Sequence, residues 1–216
     1  MSETSVIQHF REEYKKGELL ENTLAKEPME QFGIWFKEAM GADLKEPTGM
    51  ILSTVGAGNR PSSRVVLMRG FDIQGVYFFT NYQSRKGKEL ITNPNASIVF
   101  WWDKLERQVR LEGMVMKVSA DESDIYFSQR PRGSQLGAWA SAQSTVIDGR
   151  SELEKRYDEY EQQFENKEVT RPANWGGFKL WIERVEFWQG RESRLHDRLL
   201  YEKQTNGIWK MSRLSP

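Results

Sequence analysis

The run from 186 to 201, Glu-Phe-Trp-Gln-Gly-Arg-Glu-Ser-Arg-Leu-His-Asp-Arg-Leu-Leu-Tyr, concentrates groups suited to binding a small anion. It holds one of the chain's two histidines. Read as an extended strand, its two-residue period sets Arg194, His196 and Arg198 on one face. Leu195 and Asp197 then fall on the other, with Leu195 toward the core. Two guanidiniums flanking an imidazole suit a planar, anionic ligand, because guanidinium forks match carboxylate and phosphate oxygens in pairs. A solvated strand face with a chance histidine is the plainer alternative, and the other cation-bearing segments bear on the choice.

Ser84, Arg85 and Lys86 follow a strand that ends at Thr80 and open a helix. Free backbone amides and the helix dipole attract an anion there, and cations are a poor choice for a helix start unless one binds. A basic surface turn is the alternative. Arg64 and Arg69 bracket an apolar run that reads as a strand buried on both sides. Such arginines need an anionic partner, which a carboxylate could supply as well as a phosphate. Gln108 shares a strand face with Arg110 and Glu112, and its amide both donates and accepts, as the edge of a pyrimidine-like ring requires. Tyr126 and Arg130 are four apart on one helical face, and Ser134 follows just past the helix end. Phenol, guanidinium and hydroxyl could converge there on a second phosphate. Gln143 and Ser144 lie close behind in a polar loop.

These groups need a scaffold, and the pattern supplies one. Pro28 opens a helix with Phe32, Trp35, Phe36 and Met40 near one face. Segments 50–55 and 64–71 flank a Gly- and Pro-rich turn and read as a hairpin. Segments 76–80, 96–102, 108–118, 178–188, 194–201 and 208–211 bring the total to about eight strands. A short helix is expected over 86–92. Ser119 with Glu122 makes a capping box for a helix that Pro131 ends, and Ser151 with Glu154 makes another. Leu153, Tyr157, Tyr160 and Phe164 follow the second at helical spacing. Residues 1–27 are expected to form a mobile arm, with a short helix around 10–16. Residues 28–216 are expected to form a single domain, a β-barrel with flanking helices of the α+β class.

Composition narrows the chemistry. The 216 residues carry 31 Lys+Arg and 31 Asp+Glu, so the chain is no general polyanion binder, and nucleic acid is not expected as a partner. With no cysteine, disulfides, thiolate metal sites and cysteine nucleophiles are excluded. Two histidines make a histidine-rich metal site a poor reading, and no metal is expected. The polar N-terminus lacks the apolar stretch of a signal peptide, and no run is long enough to span a bilayer. A cytoplasmic protein without membrane contact is the expectation. No phosphate-binding glycine loop or serine–histidine–acid arrangement is present.

Together the segments resemble the pyridoxine (pyridoxamine) 5′-phosphate oxidase family over nearly the whole chain, from Arg11 to Pro216. The motifs that carry the likeness are Ser84-Arg-Lys86, Glu106-Arg-Gln-Val109, Ser128-Gln-Arg-Pro-Arg-Gly-Ser-Gln-Leu-Gly-Ala-Trp139, Trp175-Gly-Gly-Phe178, the 186–198 run and the closing Arg213-Leu-Ser-Pro216. The resemblance implies an FMN-binding split β-barrel homodimer, with the flavin at the subunit interface. It implies oxidation of pyridoxine 5′-phosphate or pyridoxamine 5′-phosphate to pyridoxal 5′-phosphate. Hydride would pass to FMN, and dioxygen would reoxidise it to give hydrogen peroxide. Arg64, Arg85 and Lys86 would hold the FMN phosphate, with Ser84 and Thr80 nearby and Gln108 at the flavin edge. Val65, Val66, Leu67, Arg69, Phe79, Gln143, Ser144, Trp188 and Arg198 would complete the cofactor site. Tyr126, Arg130, Ser134 and Arg69 would hold the substrate phosphate. Arg194 and His196 would act at the pyridine ring, while Arg11 and Tyr14 match an arm that covers the site. The family usually has lysine where this chain has Arg69, which keeps the charge but presents a larger, planar group. The competing readings are a non-catalytic FMN- or pyridoxal-phosphate-binding protein, and a split-barrel flavin oxidoreductase for another substrate.

Overall fold

The computed structural model describes residues 13–216. They divide into two compact units. One contains the described residues up to 47 together with 99–111 and 183–216, and the other contains 48–98 and 112–182.

Nine strands form one sheet in this α+β chain. They are β1 (Gly49–Val55), β2 (Pro61–Leu67), β3 (Gly70–Asp72), β4 (Gly75–Asn81), β5 (Asn95–Trp102), β6 (Arg107–Lys117), β7 (Trp175–Gln189), β8 (Asp197–Lys203) and β9 (Trp209–Arg213). Five helices accompany them: α1 (Pro28–Gly41), α2 (Arg85–Thr92), α3 (Ala120–Ser128), α4 (Arg132–Ala140) and α5 (Arg150–Gln163). Hydrogen bonding orders the strands β2-β1-β5-β6-β7-β4-β3, with β8 on β7 and β9 on β8.

In the 48–98/112–182 unit, β1 and β2 form the expected hairpin, in register from Gly49↔Leu67 to Val55↔Pro61. The alternating side chains Met50 and Leu52 of β1 are buried, as are Phe78 of β4 and Phe178 and Leu180 of β7. A second cluster, Phe127, Leu136, Phe164, Val169 and Trp175, packs under α3, α4 and α5. The other unit is built on aromatic contacts. Trp35 of α1 meets Phe187 edge-on at 5.1 Å, Phe32 lies 5.2 Å from Phe100, and Phe187 lies 5.8 Å from Tyr201.

Several expectations need correction. Strand β2 is not buried on both sides: among the described residues it is the edge of the sheet, with a neighbour on one side only, and Val65 is 69% exposed. The 64–71 run breaks after Leu67 into a separate strand, β3, because Met68 and Arg69 donate their amides to Thr48 and Tyr77. Met40 falls off the buried stripe of α1 and is exposed. The capping box at Ser119 and Glu122 is present, but Ser151 caps nothing, since α5 starts one residue earlier behind Gly149. Pro131 ends one helix and immediately precedes another, so Ser134 lies in the first turn of α4. Residues 13–16 are not helical, and the rest of the short helix expected around 10–16 lies outside the described residues.

Candidate functional site

In the unit holding β4 and α2, a cation is buried without a counter-charge among the described residues. Ser84 caps α2, its hydroxyl accepting from the Gly87 amide at 3.2 Å and donating to the Asn81 carbonyl at 2.7 Å. A Cβ on Gly87 would lie 2.3 Å from the Tyr82 carbonyl oxygen, so only glycine lets the first turn sit this close to the preceding chain. That approach turns Lys86 inward. Its Nζ lies 3.0 Å from Thr80 Oγ1, 3.2 Å from Gln143 Oε1 and 3.4 Å from Ser84 Oγ, all neutral partners. Burial, and then the charge of Arg64, push the Lys86 pKa down.

Arg64 and Arg85 meet at Glu89. Arg85 Nε donates to Glu89 Oε1 at 2.9 Å, and Arg64 Nη2 lies 3.2 Å from Glu89 Oε2. Arg64 Nη1 also donates to the Leu52 carbonyl and to Thr54 Oγ1, and its Nη2 to Ser62. Burial alone would raise the Glu89 carboxyl. Hydrogen bonds from Thr54, Arg85 and Ser62 outweigh that and hold it at about 2. The alternatives left open for Arg64 are thus partly answered: a carboxylate of the chain itself meets it, and meets Arg85 as well.

A cavity of about 350 Å³ in the same unit is lined by Phe79, Thr80, Arg130, Ser134, Gln143 and Trp175, among others. Tyr126 stacks on Phe79 at 3.8 Å, and Phe79 on Trp175 at 5.8 Å. Gly177 makes this possible, since a Cβ there would come within 2.7 Å of the Phe79 ring. The Arg130 guanidinium lies 4.5 Å over the Trp175 ring. Its Nη1 is buried and has no hydrogen-bond partner among the described residues. Burial holds its pKa below the ordinary arginine value; Tyr126 works in the opposite sense and the charge of Arg69 in the same sense. A half-buried guanidinium whose Nη1 is buried and unpartnered, and which a second guanidinium repels, fits an anion. Arg69 itself is exposed, as is Ser144, which adopts a left-handed φ of 70°.

The other unit carries the 186–198 run, and here the extended reading fails. Gln189 and Asp197 are register partners of antiparallel β7 and β8, so residues 190–196 must reverse the chain. They do so through a 3-10 turn, Glu192–Arg194, with φ of 55° at Ser193 and 60° at Arg194. Leu195 is 70% exposed and does not face the core. Arg194 is exposed and makes no ion pair among the described residues. The His196 ring lies 4.7 Å from that of Trp188 and 5.7 Å from that of Tyr14. Its Nδ1 accepts the Arg191 amide at 3.1 Å. Burial, then the charge of Arg194, lower its pKa. Trp188 pairs with Arg198 across the strands, and Arg198 Nε donates to buried Glu186 at 2.8 Å. Arg110 meets the second Glu186 oxygen at 3.1 Å. Gln108 and Arg110 sit on the face of β6 opposite buried Val109 and Leu111.

Residues 36–164 match the family described as pyridoxamine 5′-phosphate oxidase. Residues 175–216 match the pyridoxine 5′-phosphate oxidase C-terminal dimerisation region. A pyridoxine/pyridoxamine 5′-phosphate oxidase of Rubrobacter xylanophilus is 52% identical over 207 residues, covering 96% of this chain and 95% of that protein. The chain belongs to the pyridoxamine 5′-phosphate oxidase family. Its fold is the family's split barrel. A pyridoxamine 5′-phosphate oxidase-related, FMN-binding protein of Nostoc punctiforme superposes with a TM-score of 0.69 at 18% identity, over 90% of this chain and 99% of that one. PhzG of Burkholderia lata, solved in complex with tetrahydrophenazine-1-carboxylic acid, superposes with a TM-score of 0.87 at 29% identity, over 94% of this chain and all of that one.

Within each unit the structure gathers a subset of the residues singled out from sequence. Thr80, Ser84, Lys86 and Gln143 make one network, and Arg130 and Ser134 line the same cavity as Thr80 and Gln143, with Tyr126 stacked behind. Tyr14, Trp188 and His196 share ring contacts in the other unit. Val65 is exposed at the sheet edge, with Val66 and Leu67 half-buried beside it, and Arg11 lies outside the described residues. The sequence reading missed the acidic anchors Glu89, Glu186 and Asp197. Asp197 accepts from Leu19, Arg191 and Arg213. The signals for such residues were the general need of buried arginines for an anion and, for Glu89, its i,i+4 spacing from Arg85 on one helix.

Among the described residues, no helix is long and apolar enough to cross a membrane.

Proposed function

We propose that this chain oxidises pyridoxine 5′-phosphate or pyridoxamine 5′-phosphate to pyridoxal 5′-phosphate in the cytoplasm, as a homodimer that holds FMN. The observation that carries the reading is the orphaned, buried Nη1 of Arg130 in a cavity that also receives Ser134 and lies beside the uncompensated Lys86. Bound FMN would supply the acceptor for a hydride from the substrate's C4′ carbon, with dioxygen as the final oxidant and hydrogen peroxide as its product.

Arg64, Arg85 and Lys86, at the Ser84-capped helix start, hold the flavin phosphate, and Thr80 and Gln143 keep the Lys86 ammonium in place. Val65, Val66, Leu67, Phe79, Gln108, Ser144, Trp188 and Arg198 complete that site. Arg130, Ser134, Tyr126 and Arg69 take the substrate phosphate. Arg194 orients the pyridine ring and stabilises charge that develops on its substituents. His196 keeps its ring neutral, and with Nδ1 engaged by the Arg191 amide it offers Nε2–H as a donor rather than a base. Arg11 and Tyr14 belong to an arm, residues 1–27, that covers the site, and 28–216 form the FMN-binding domain.

Adding pyridoxine 5′-phosphate to the purified, yellow protein should release hydrogen peroxide and pyridoxal 5′-phosphate in equal amounts, and light scattering should give a dimer mass. Arg130→Ala should lower kcat/KM by about tenfold to a hundredfold, mainly through KM, with flavin retained. Binding of flavin without turnover would instead favour a non-catalytic carrier. The likeness to PhzG supports the second reading, an oxidoreductase for another substrate. Turnover of a non-phosphorylated ring, unaffected by Arg130→Ala, would favour it.

A further inference from the structure

The carboxylate that meets both Arg64 and Arg85 has no ligand-binding role in the reading above. We propose that Glu89 is a positioning residue that fixes Arg64 and Arg85 in the arrangement that receives the FMN phosphate. The proposal rests on the reading that places this phosphate at the start of α2.

Glu89 is built to stay where it is. Its side chain is 9% exposed. Oε2 accepts from Thr54 Oγ1 at 2.5 Å and Ser62 Oγ at 2.9 Å as well as from Arg64, while Oε1 accepts from Arg85. A Cβ on Gly56 would come 2.8 Å from Oε1, so the β1–β2 turn closes over the carboxylate. Moving it would leave the Thr54 and Ser62 hydroxyls without this acceptor and two guanidiniums without their counter-charge. A carboxylate that merely kept the place of an absent phosphate would be exposed and loosely held.

The way the arginines are gripped also fits. Arg85 engages Glu89 through Nε, which leaves its Nη1 and Nη2 edge to a ligand. Arg64 is gripped through both Nη1 and Nη2 by Leu52, Thr54, Ser62 and Glu89, which fixes the plane of the guanidinium and leaves its Nε–H as the donor for a ligand. With Lys86, three cations and one carboxylate leave two net positive charges, a match for a phosphate monoester of charge about −2 near neutral pH.

The two roles differ in sign. Removing a negative charge near a phosphate tightens binding by simple electrostatics, whereas removing a positioning group weakens it. Riboflavin, which is FMN without the phosphate, separates both from damage to the fold. The full chain, freed of flavin, is titrated with FMN and with riboflavin while flavin fluorescence is followed. Glu89→Gln should weaken FMN binding about tenfold and leave riboflavin binding within about twofold. Unchanged or tighter FMN binding, or an equal loss for both flavins, would overturn the proposal. If Glu89→Gln does not fold, Thr54→Val removes the hydroxyl that joins Arg64 to Glu89 and should give the same selective loss at several-fold. A parallel loss for both flavins there would likewise overturn it. Two outcomes separate this from the reading beneath it. If wild-type protein binds FMN no better than riboflavin, or Lys86→Ala keeps the full preference, the phosphate site itself is wrong and the proposal falls with it. If Lys86→Ala loses the preference and Glu89→Gln keeps it, only the role of Glu89 is wrong.

Discussion

The helix start at 84–89 and the turn at 190–196 both present cations, but they hold them by different means. At the helix start, side chains hold side chains: Ser84 caps, Glu89 meets two guanidiniums, and Lys86 rests on Thr80 and Gln143. At the turn, the backbone does the holding. Two consecutive residues, Ser193 and Arg194, take left-handed φ values, at a cost of about 1–2 kcal/mol each for non-glycine residues. The flanks are pinned by Asp197, which accepts from Arg191, Arg213 and Leu19, while Arg194 itself stays exposed. A saturated network suits a group that remains bound. A charge held out on a fixed backbone suits one that arrives, reacts and leaves.

The largest expected effect tests that division directly. Arg194→Ala should lower kcat/KM for pyridoxine 5′-phosphate by about one to three orders of magnitude, without changing the flavin content seen in the visible spectrum. Loss of flavin instead would erase the contrast between the two regions. A second test concerns which residues near the turn carry stability. Leu199, fully buried on β8, should cost about 2–5 kcal/mol when changed to alanine. Leu195→Ala should stay within about 0.5 kcal/mol in urea unfolding, because that side chain is already in water. A large loss at Leu195 would mean the turn is packed rather than held by its backbone.

The smallest effect is the titration of His196. Its native pKa lies below the ordinary 6.5 because burial, and then Arg194, disfavour the imidazolium. The unfolded chain therefore binds a proton first as pH falls. The histidine costs nothing above about pH 7, and stability is lost as pH drops below 6.5 toward the depressed native value. Proton NMR of the His196 ring should show a midpoint below 6.5, and Arg194→Ala should move it upward. An unmoved midpoint would place the Arg194 charge elsewhere.

Local signals were legible where local chemistry decides structure. Ser84 and Ser119 cap helices because a hydroxyl before an open amide needs no tertiary help. The hairpin at 49–67 followed from its turn residues and alternation. What failed had a tertiary cause. The apolar run 65–68 looked buried on both faces, but strand order puts β2 at an edge. The face assigned to Leu195 assumed a strand, and the register of β7 with β8 made it a turn. Glu186 and Asp197 meet arginines that no regular spacing links to them, and only the i,i+4 spacing of Arg85 and Glu89 was open to view. The contacts of Lys86 with Thr80 and Gln143 join segments that no single periodicity displays.

The guanidinium over Trp175 has an optical consequence. Indole emission responds to the electric field across the ring, and here a cation sits 4.5 Å above it. Trp175 is only 7% exposed, so bulk solvent contributes little to its colour. An anion that draws Arg130 toward itself changes that field, and the emission of one buried tryptophan shifts with it. The cavity therefore carries its own dye, and in flavin-free protein its occupancy can be read by light without any label.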